Sequence, residues 1–222
     1  ALAKAEGMAA KGASRDAIWK ETGWFQGGDG KWRFEIPDNQ SRLTKFEGKT
    51  IGQSVEHPEM FQAYPDLSDI KMLYGQPPGS GAYFRPINGS AERIGVSGLA
   101  PPTNPSIHLH ELQHAVQQRE GFAPGSSKQI EAARLSENTG NPIIESFRAE
   151  IEKGTYGRPG DKLFADAARR LQALESLSRD DRIRKAYRSS AGEVEARNVE
   201  TRMNMTPAER RTKPPWLTED VP

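Results

Sequence analysis

His110-Glu111-Leu112-Gln113-His114 is the stretch on which the reading of this chain turns. The residues around it have a helical pattern. On a helix, positions four apart lie one above the other, so His110 and His114 can aim two imidazole nitrogens at one point. Glu111, one residue on, is rotated to the side of that point. Two neutral imidazoles on a metal, with a carboxylate beside the water that the metal activates, is the layout of a zinc peptidase. At average residue usage this pattern arises by chance at roughly one position in tens of thousands. The chain holds only four His, and three of them (His108, His110 and His114) cluster here. The competing reading is an exposed amphipathic helix that happens to carry two His.

A catalytic zinc keeps three protein ligands and leaves a position for water. One arrangement places the third ligand six residues past the second His, after a Gly turn. Those places hold Glu120 and Gln117 here. With the helix unbroken, Glu120 lies about 240° around from His114 and points away. The other arrangement takes a Glu from a later helix, and Ala191-Gly192-Glu193-Val194-Glu195-Ala196-Arg197 is the candidate. Its small residues let two helices approach closely. Glu193 and Glu195 lie about 200° apart on a helix, so only one can face the metal. Glu193 is preferred, because Gly192 and Ala196 give it a small-residue face, and Glu195 stays open as the alternative. Ser190 to Glu193 also reads as a capping box, in which Glu193 would only satisfy a backbone N–H.

Outward from the motif, the pattern predicts an α+β fold. Small helices come first, then a few antiparallel strands, the metal helix and a helical, strongly charged half from about 142 to 205. Ser14 caps a predicted helix closed by Gly23. Trp24-Phe25 and Lys31 to Ile36 flank Gly27-Gly28-Asp29-Gly30 as a hairpin, with Trp32, Phe34 and Ile36 on one face. A short helix is expected over Val55–Tyr64 and a strand over Ile70–Tyr74. Ala82-Tyr83-Phe84 and Arg93 to Val96 bracket Asn88-Gly89 as a second strand pair. Asn104 and Pro105 start the metal helix, which ends near Gly121. Thr206-Pro207-Ala208-Glu209 is a capping-box pattern, and Pro214-Pro215-Trp216 reads as extended. Ile94 to Val96 is the candidate strand for pairing with an extended substrate, against the alternative of an ordinary core strand. These elements give a single domain over 1–205, with 1–12 loosely anchored, and a C-terminal extension over 206–222.

Composition narrows the classes. The 222 residues carry a net charge of +1, which gives no global pull toward nucleic acid or a membrane surface. There is no Cys, hence no disulfide scaffold and no thiolate metal site. No run of about 18 apolar residues is present to span a bilayer. The opening Ala1-Leu2-Ala3-Lys4 lacks an initiator Met and a signal-peptide pattern, so a piece of a longer chain is expected. The basic residues Arg182, Arg184, Lys185, Arg188, Arg210, Arg211 and Lys213 are interleaved with acids, which marks a solvated helix face rather than a nucleic-acid site.

His-Glu-Leu-Gln-His-Ala-Val-Gln-Gln-Arg-Glu-Gly-Phe (110–122), with the distal Gly-Glu-Val-Glu-Ala-Arg (192–197), resembles the metallopeptidase-like domains of large polyvalent proteins, type 23. These occur in giant multidomain proteins of phages and conjugative elements. Thr22-Gly23-Trp24, Lys31 to Ile36 and His57-Pro58 through Tyr64-Pro65 share in the resemblance, which spans most of 10–205. It implies a zincin-like, gluzincin-type site in which His110, His114 and Glu193 hold Zn²⁺ and Glu111 is the base. It also implies a cytoplasmic or particle-borne setting, and it says little about substrate.

The expected function is hydrolysis of a peptide bond in a peptide or protein substrate. Glu111 takes a proton from water and passes it to the leaving amine. Tyr187, six residues before Glu193, is the nominee for a second donor at the oxyanion. Arg197 is expected to hold a carboxylate near the site or to be a solvated helix charge. His108 is expected to act in a cap or behind a ligand, and His57 to be structural. The rival expectation is a metal-binding but inactive interaction or processing module within a polyvalent protein.

Overall fold

The computed structural model describes residues 1–44, 48–76, 81–84, 91–97, 105–137, 142–176 and 179–221. It is α+β, and the chain forms two compact units, Ala1–Gly125 with Ala191–Pro222, and Ser126–Ser190. The second unit therefore lies inside the span read from the sequence as one domain. Among the described residues no helix is long and apolar enough to cross a membrane.

The first unit opens with α1 (Leu2–Ala10) and α2 (Arg15–Thr22). Ser14 caps α2 by accepting from the Ala17 N–H, as the sequence indicated. Next come β1 (Trp24–Gln26) and β2 (Trp32–Phe34), an antiparallel hairpin pairing Trp24 with Phe34 and Gln26 with Trp32. The alternation along β2 is as expected, but its buried member is the charged one. Arg33 is 6 % exposed and Phe34 45 %. The reason is that Arg33 finds carboxylates on both sides, which offsets the loss of water.

β3 (Arg42–Leu43) pairs with β4 (Val55–Glu56), and α3 (Ile51–Ser54) lies between them in sequence. The helix expected over Val55–Tyr64 is thus a bridge of strand followed by α4 (Pro58–Ala63). His57 interrupts them: its Nδ1 caps α4 from the Met60 N–H at 3.4 Å, and Pro58 takes the first helical position. Its Nε2 meets Asp38 at 2.8 Å, so His57 is structural.

β5 (Lys71–Gln76), β6 (Gly81–Phe84) and β7 (Arg93–Ser97) form a sheet in the order β5-β7-β6. β7 runs parallel to β5 and antiparallel to β6. Ile94 to Val96 therefore sit on the central strand and have no free edge; they are core, and β5 and β6 are the outer strands. The turn at Asn88-Gly89 and the cap at Asn104 lie outside the described residues. α5 (Ser106–Glu120) follows and ends at Gly121, whose φ of +62° is the left-handed backbone that lets glycine stop a helix. Leu109, Leu112, Ala115 and Val116 of α5 join Ile51, Leu67, Ile94 and Val96 in the core.

The second unit consists of α6 (Lys128–Glu137), α7 (Pro142–Glu152), α8 (Lys162–Ser176) and α9 (Arg179–Ser189), in which α6 packs on α9 and α7 on α8. The chain returns to the first unit with α10 (Ala191–Arg202), which packs along α5, and α11 (Pro207–Thr212). The expected capping box is present: Thr206 accepts from the Glu209 N–H, and the Glu209 carboxylate accepts from the Thr206 N–H at 2.8 Å. The Pro-rich end is not extended. Pro215–Leu217 is a turn of 3-10 helix, because Trp216 folds back to meet Trp19 at 6.0 Å and Phe25 at 6.1 Å between ring centroids. Arg202 and Arg210, both buried, share the Glu35 carboxylate, and Arg210 also meets Asp38 at 2.9 Å. This ties residues 202–210 to the segment after the hairpin.

Candidate metal centre

The α5–α10 pair brings three of the predicted residues to one point. His110, His114 and Glu193 each offer a ligand atom, and these atoms lie within 4.8 Å of one another. Glu193 Oε1 stands 3.3 Å from His114 Nε2, and Oε2 stands 3.6 Å from His110 Nε2. The rings are 4.9 Å apart at 82°, so their Nε2 edges converge from different directions. Glu193 is only 1 % exposed. A buried carboxylate needs a cation or donors around it. Here the groups facing it are two imidazoles, with nitrogen and oxygen donors in the mix that suits zinc.

Helix spacing makes this convergence possible, and glycine permits the approach. A Cβ on Gly125 would fall 2.4 Å from His114 Cε1 and 2.8 Å from Glu193 Oε1. A Cβ on Gly192 would fall 2.3 Å from the Pro124 carbonyl carbon and oxygen. The small residues before Glu193 thus let α10 close on the segment that follows α5. Glu193 is the third residue of α10, where the capping reading also places it, and its two oxygens face the imidazoles.

Glu195, the alternative ligand, points elsewhere. Its Oε1 accepts from Arg33 Nε at 2.6 Å and its Oε2 from Gln117 Nε2 at 3.0 Å. Glu120 accepts from the Tyr64 hydroxyl at 2.9 Å, away from the cluster. Arg197 meets Asp220 through two bonds of 2.9 Å and so holds the C-terminal segment. Tyr187 lies on α9 in the second unit, where its carbonyl accepts from the Ser190 N–H at 3.2 Å. A cavity of about 220 Å³ also opens in the first unit; Arg33 and Glu195 line it, and none of the three cluster residues does.

Each imidazole has its own orienting partner. His110 Nδ1 donates to Glu200 Oε1 at 2.6 Å, and Glu200 Oε2 accepts from Ser106 Oγ at 2.6 Å. His114 Nδ1 meets Gln117 Oε1 at 2.9 Å. A ligating His usually gives its second ring N–H to such a group, which fixes the tautomer and raises basicity. Glu200 was not foreseen, although it had a signal: it follows Glu193 by seven residues, two helical turns, and so shares its face.

Charge in the site is arranged around Glu111. Burial pushes the Glu111 carboxyl up, His110 opposes this, and the carboxylates of Glu193 and Glu200 push further, to about 7. Its side chain also takes a backbone hydrogen bond from Tyr83 on β6. Burial works against protonated His110, but its hydrogen bonds with Glu193 and Glu200 prevail and raise it to about 9. Glu200 is held below the usual carboxylate range: burial opposes this, and the bonds from His110 and Ser106 outweigh it.

His108 is neither a cap nor a partner of the cluster. It is buried, and its Nδ1 has no hydrogen-bond partner among the described residues. Burial lowers its pKa from 6.5 to about 4, so it is neutral in the fold at neutral pH. The unfolded chain gains a proton there below about pH 6.5, and the fold does not until about pH 4. Its contribution is therefore whole above pH 6.5 and lost on the way down. Urea unfolding of the metal-free chain should show roughly 2 kcal/mol lost at this position between pH 7 and pH 5. His108→Phe should remove that part of the pH slope.

Residues 1–44 match the family model described as large polyvalent protein associated domain 23. The matched span carries α1, α2, the β1–β2 hairpin and β3, and it ends before α5. No curated protein and no solved structure matches the chain.

Proposed function

We propose that the chain is a zinc-dependent peptidase of zincin-like build, with His110, His114 and Glu193 holding the ion and Glu111 as general base. The observation that carries this reading is the convergence of three ligand atoms from two distant helices beside a buried carboxyl poised near neutrality. Zinc held there would supply Lewis acidity, drawing the pKa of water toward about 7 and polarising a carbonyl. Glu111 takes the proton of the attacking water and returns it to the leaving amine, a task for which a pKa near the working pH is best. Glu200 and Gln117 keep the two rings turned toward Glu193.

Substrate lies along β6. That strand has β7 as its only strand partner among the described residues, and its Tyr83 N–H already reaches Glu111. An extended peptide beside β6 would pass its backbone in front of the base, with main-chain hydrogen bonds giving affinity. The match over 1–44 supports placing the chain within a large polyvalent protein.

Metal content and cleavage of a broad peptide library test the reading together. Wild type should bind one zinc per chain and cleave, and His114→Ala should lose both. A chain that takes up no zinc at micromolar supply would overturn the proposal. Bound zinc without any cleavage would favour the metal-bearing interaction module instead.

A further inference from the structure

The bonds behind His114 run further than those behind His110. Gln117 Nε2 donates to two acceptors, the Gly192 carbonyl at 2.9 Å and Glu195 Oε2 at 3.0 Å. Only the amide nitrogen can face them, so Oε1 faces His114. An amide oxygen only accepts, so His114 Nδ1 must carry the proton, and in the neutral ring that a metal requires Nε2 then holds the lone pair on the side of Glu193. The orientation of Gln117 thus decides whether His114 can ligate.

Glu195 in turn is held by Arg33 on β2. The guanidinium is gripped on its other side by Asp29, through Nη1 at 2.6 Å and Nη2 at 2.9 Å, and stacks 3.8 Å over the Phe122 ring. The hairpin turn is shaped around it: a Cβ on Gly27 would fall 2.2 Å from Arg33 Nη1. The turn is also fastened to the chain just past α5. Asp29 Oδ2 accepts from the Ala123 N–H at 3.1 Å, and Lys31 Nζ donates to the Gly121 carbonyl.

We propose that Arg33 is a positioning residue for His114, acting through Glu195 and Gln117, so that the hairpin within the matched segment is a working part of the metal centre. This inference rests on the metal reading above. Without Arg33, Glu195 loses its only cation in this chain of bonds and turns to solvent. Gln117 then loses one of the two acceptors that fix its amide, and the His114 tautomer is no longer enforced.

The test is zinc titration of the metal-free full chain against a chelator, with Co²⁺ absorption spectra and thermal melts of the metal-free forms. Gln117→Leu should weaken zinc binding by about 10–100-fold, the range for partners behind a ligand. Arg33→Met should weaken it in the same direction, and Arg33→Lys, which keeps the charge but not the two-sided grip, should fall between. The double variant Arg33→Met with Gln117→Leu should bind no more weakly than Gln117→Leu alone, because both act through one contact. A purely structural Arg33 would instead lower the metal-free melting temperature and add its effect to that of Gln117. Wild-type affinity in Gln117→Leu or in both Arg33 variants, or full additivity in the double variant, overturns the inference while the metal reading stands. Absence of zinc binding in the wild type overturns the metal reading itself.

Discussion

Glu111→Gln should keep zinc and lose hydrolysis by about a thousandfold, the middle of the range for a positioned general base. Glu111 lies outside the group of three converging ligand atoms, so its replacement leaves the donors in place. The amide has the same shape and can still accept from the Tyr83 N–H that holds the side chain on β6. It cannot take up a proton. Removing the carboxylate also takes away one of the charges that favour a proton on His110, so competition between proton and metal there does not grow. Zinc affinity within a few-fold of wild type, with kcat/KM down about 10³, is the expected pair of results. Cleavage within tenfold of wild type would show that another group moves the proton.

Gly192→Ala should disable the same site from behind. The added methyl would stand 2.3 Å from the Pro124 carbonyl carbon and oxygen and 2.4 Å from the Gly125 nitrogen. These are backbone atoms, with no flexible side chain to yield. The first turn of α10 must then move away, and Glu193 moves with it. Overpacking of this kind typically costs about 1–3 kcal/mol, and zinc affinity should fall together with stability. Urea unfolding and zinc titration of the purified variant measure the two losses. Both unchanged would mean that the close approach of α10 does not set the position of Glu193.

The convergence of His110 and His114 was legible because it depends on local geometry alone: residues four apart on a helix share a face whatever surrounds them. Glu193 was legible for a related reason, since small neighbours announce close helix packing. The role of Glu195 was not. Its partners, Arg33 and Gln117, stand far away in the chain, and no spacing rule joins them. The hairpin was legible only in part. Its alternation was visible, but which face goes inward is decided by the carboxylates waiting for Arg33, and those are tertiary. Strand order was hidden too: β5 and β7 pair in parallel with β6 between them in sequence, so Ile94–Val96 is central and Gly81–Phe84 is an outer strand. The Pro-rich tail looked extended because Pro disfavours helix, whereas Trp216 had aromatic partners in α2 and β1 that only folding supplies.

Between the two imidazoles and their acid the chain inserts the whole of Ser126–Ser190. A nascent polypeptide therefore displays both His on the ribosome well before Glu193 exists. At roughly 5–20 residues per second, the inserted helices impose a delay of several seconds on translation of the third donor. The three converging side chains are in this way completed only after the inserted helices have been made.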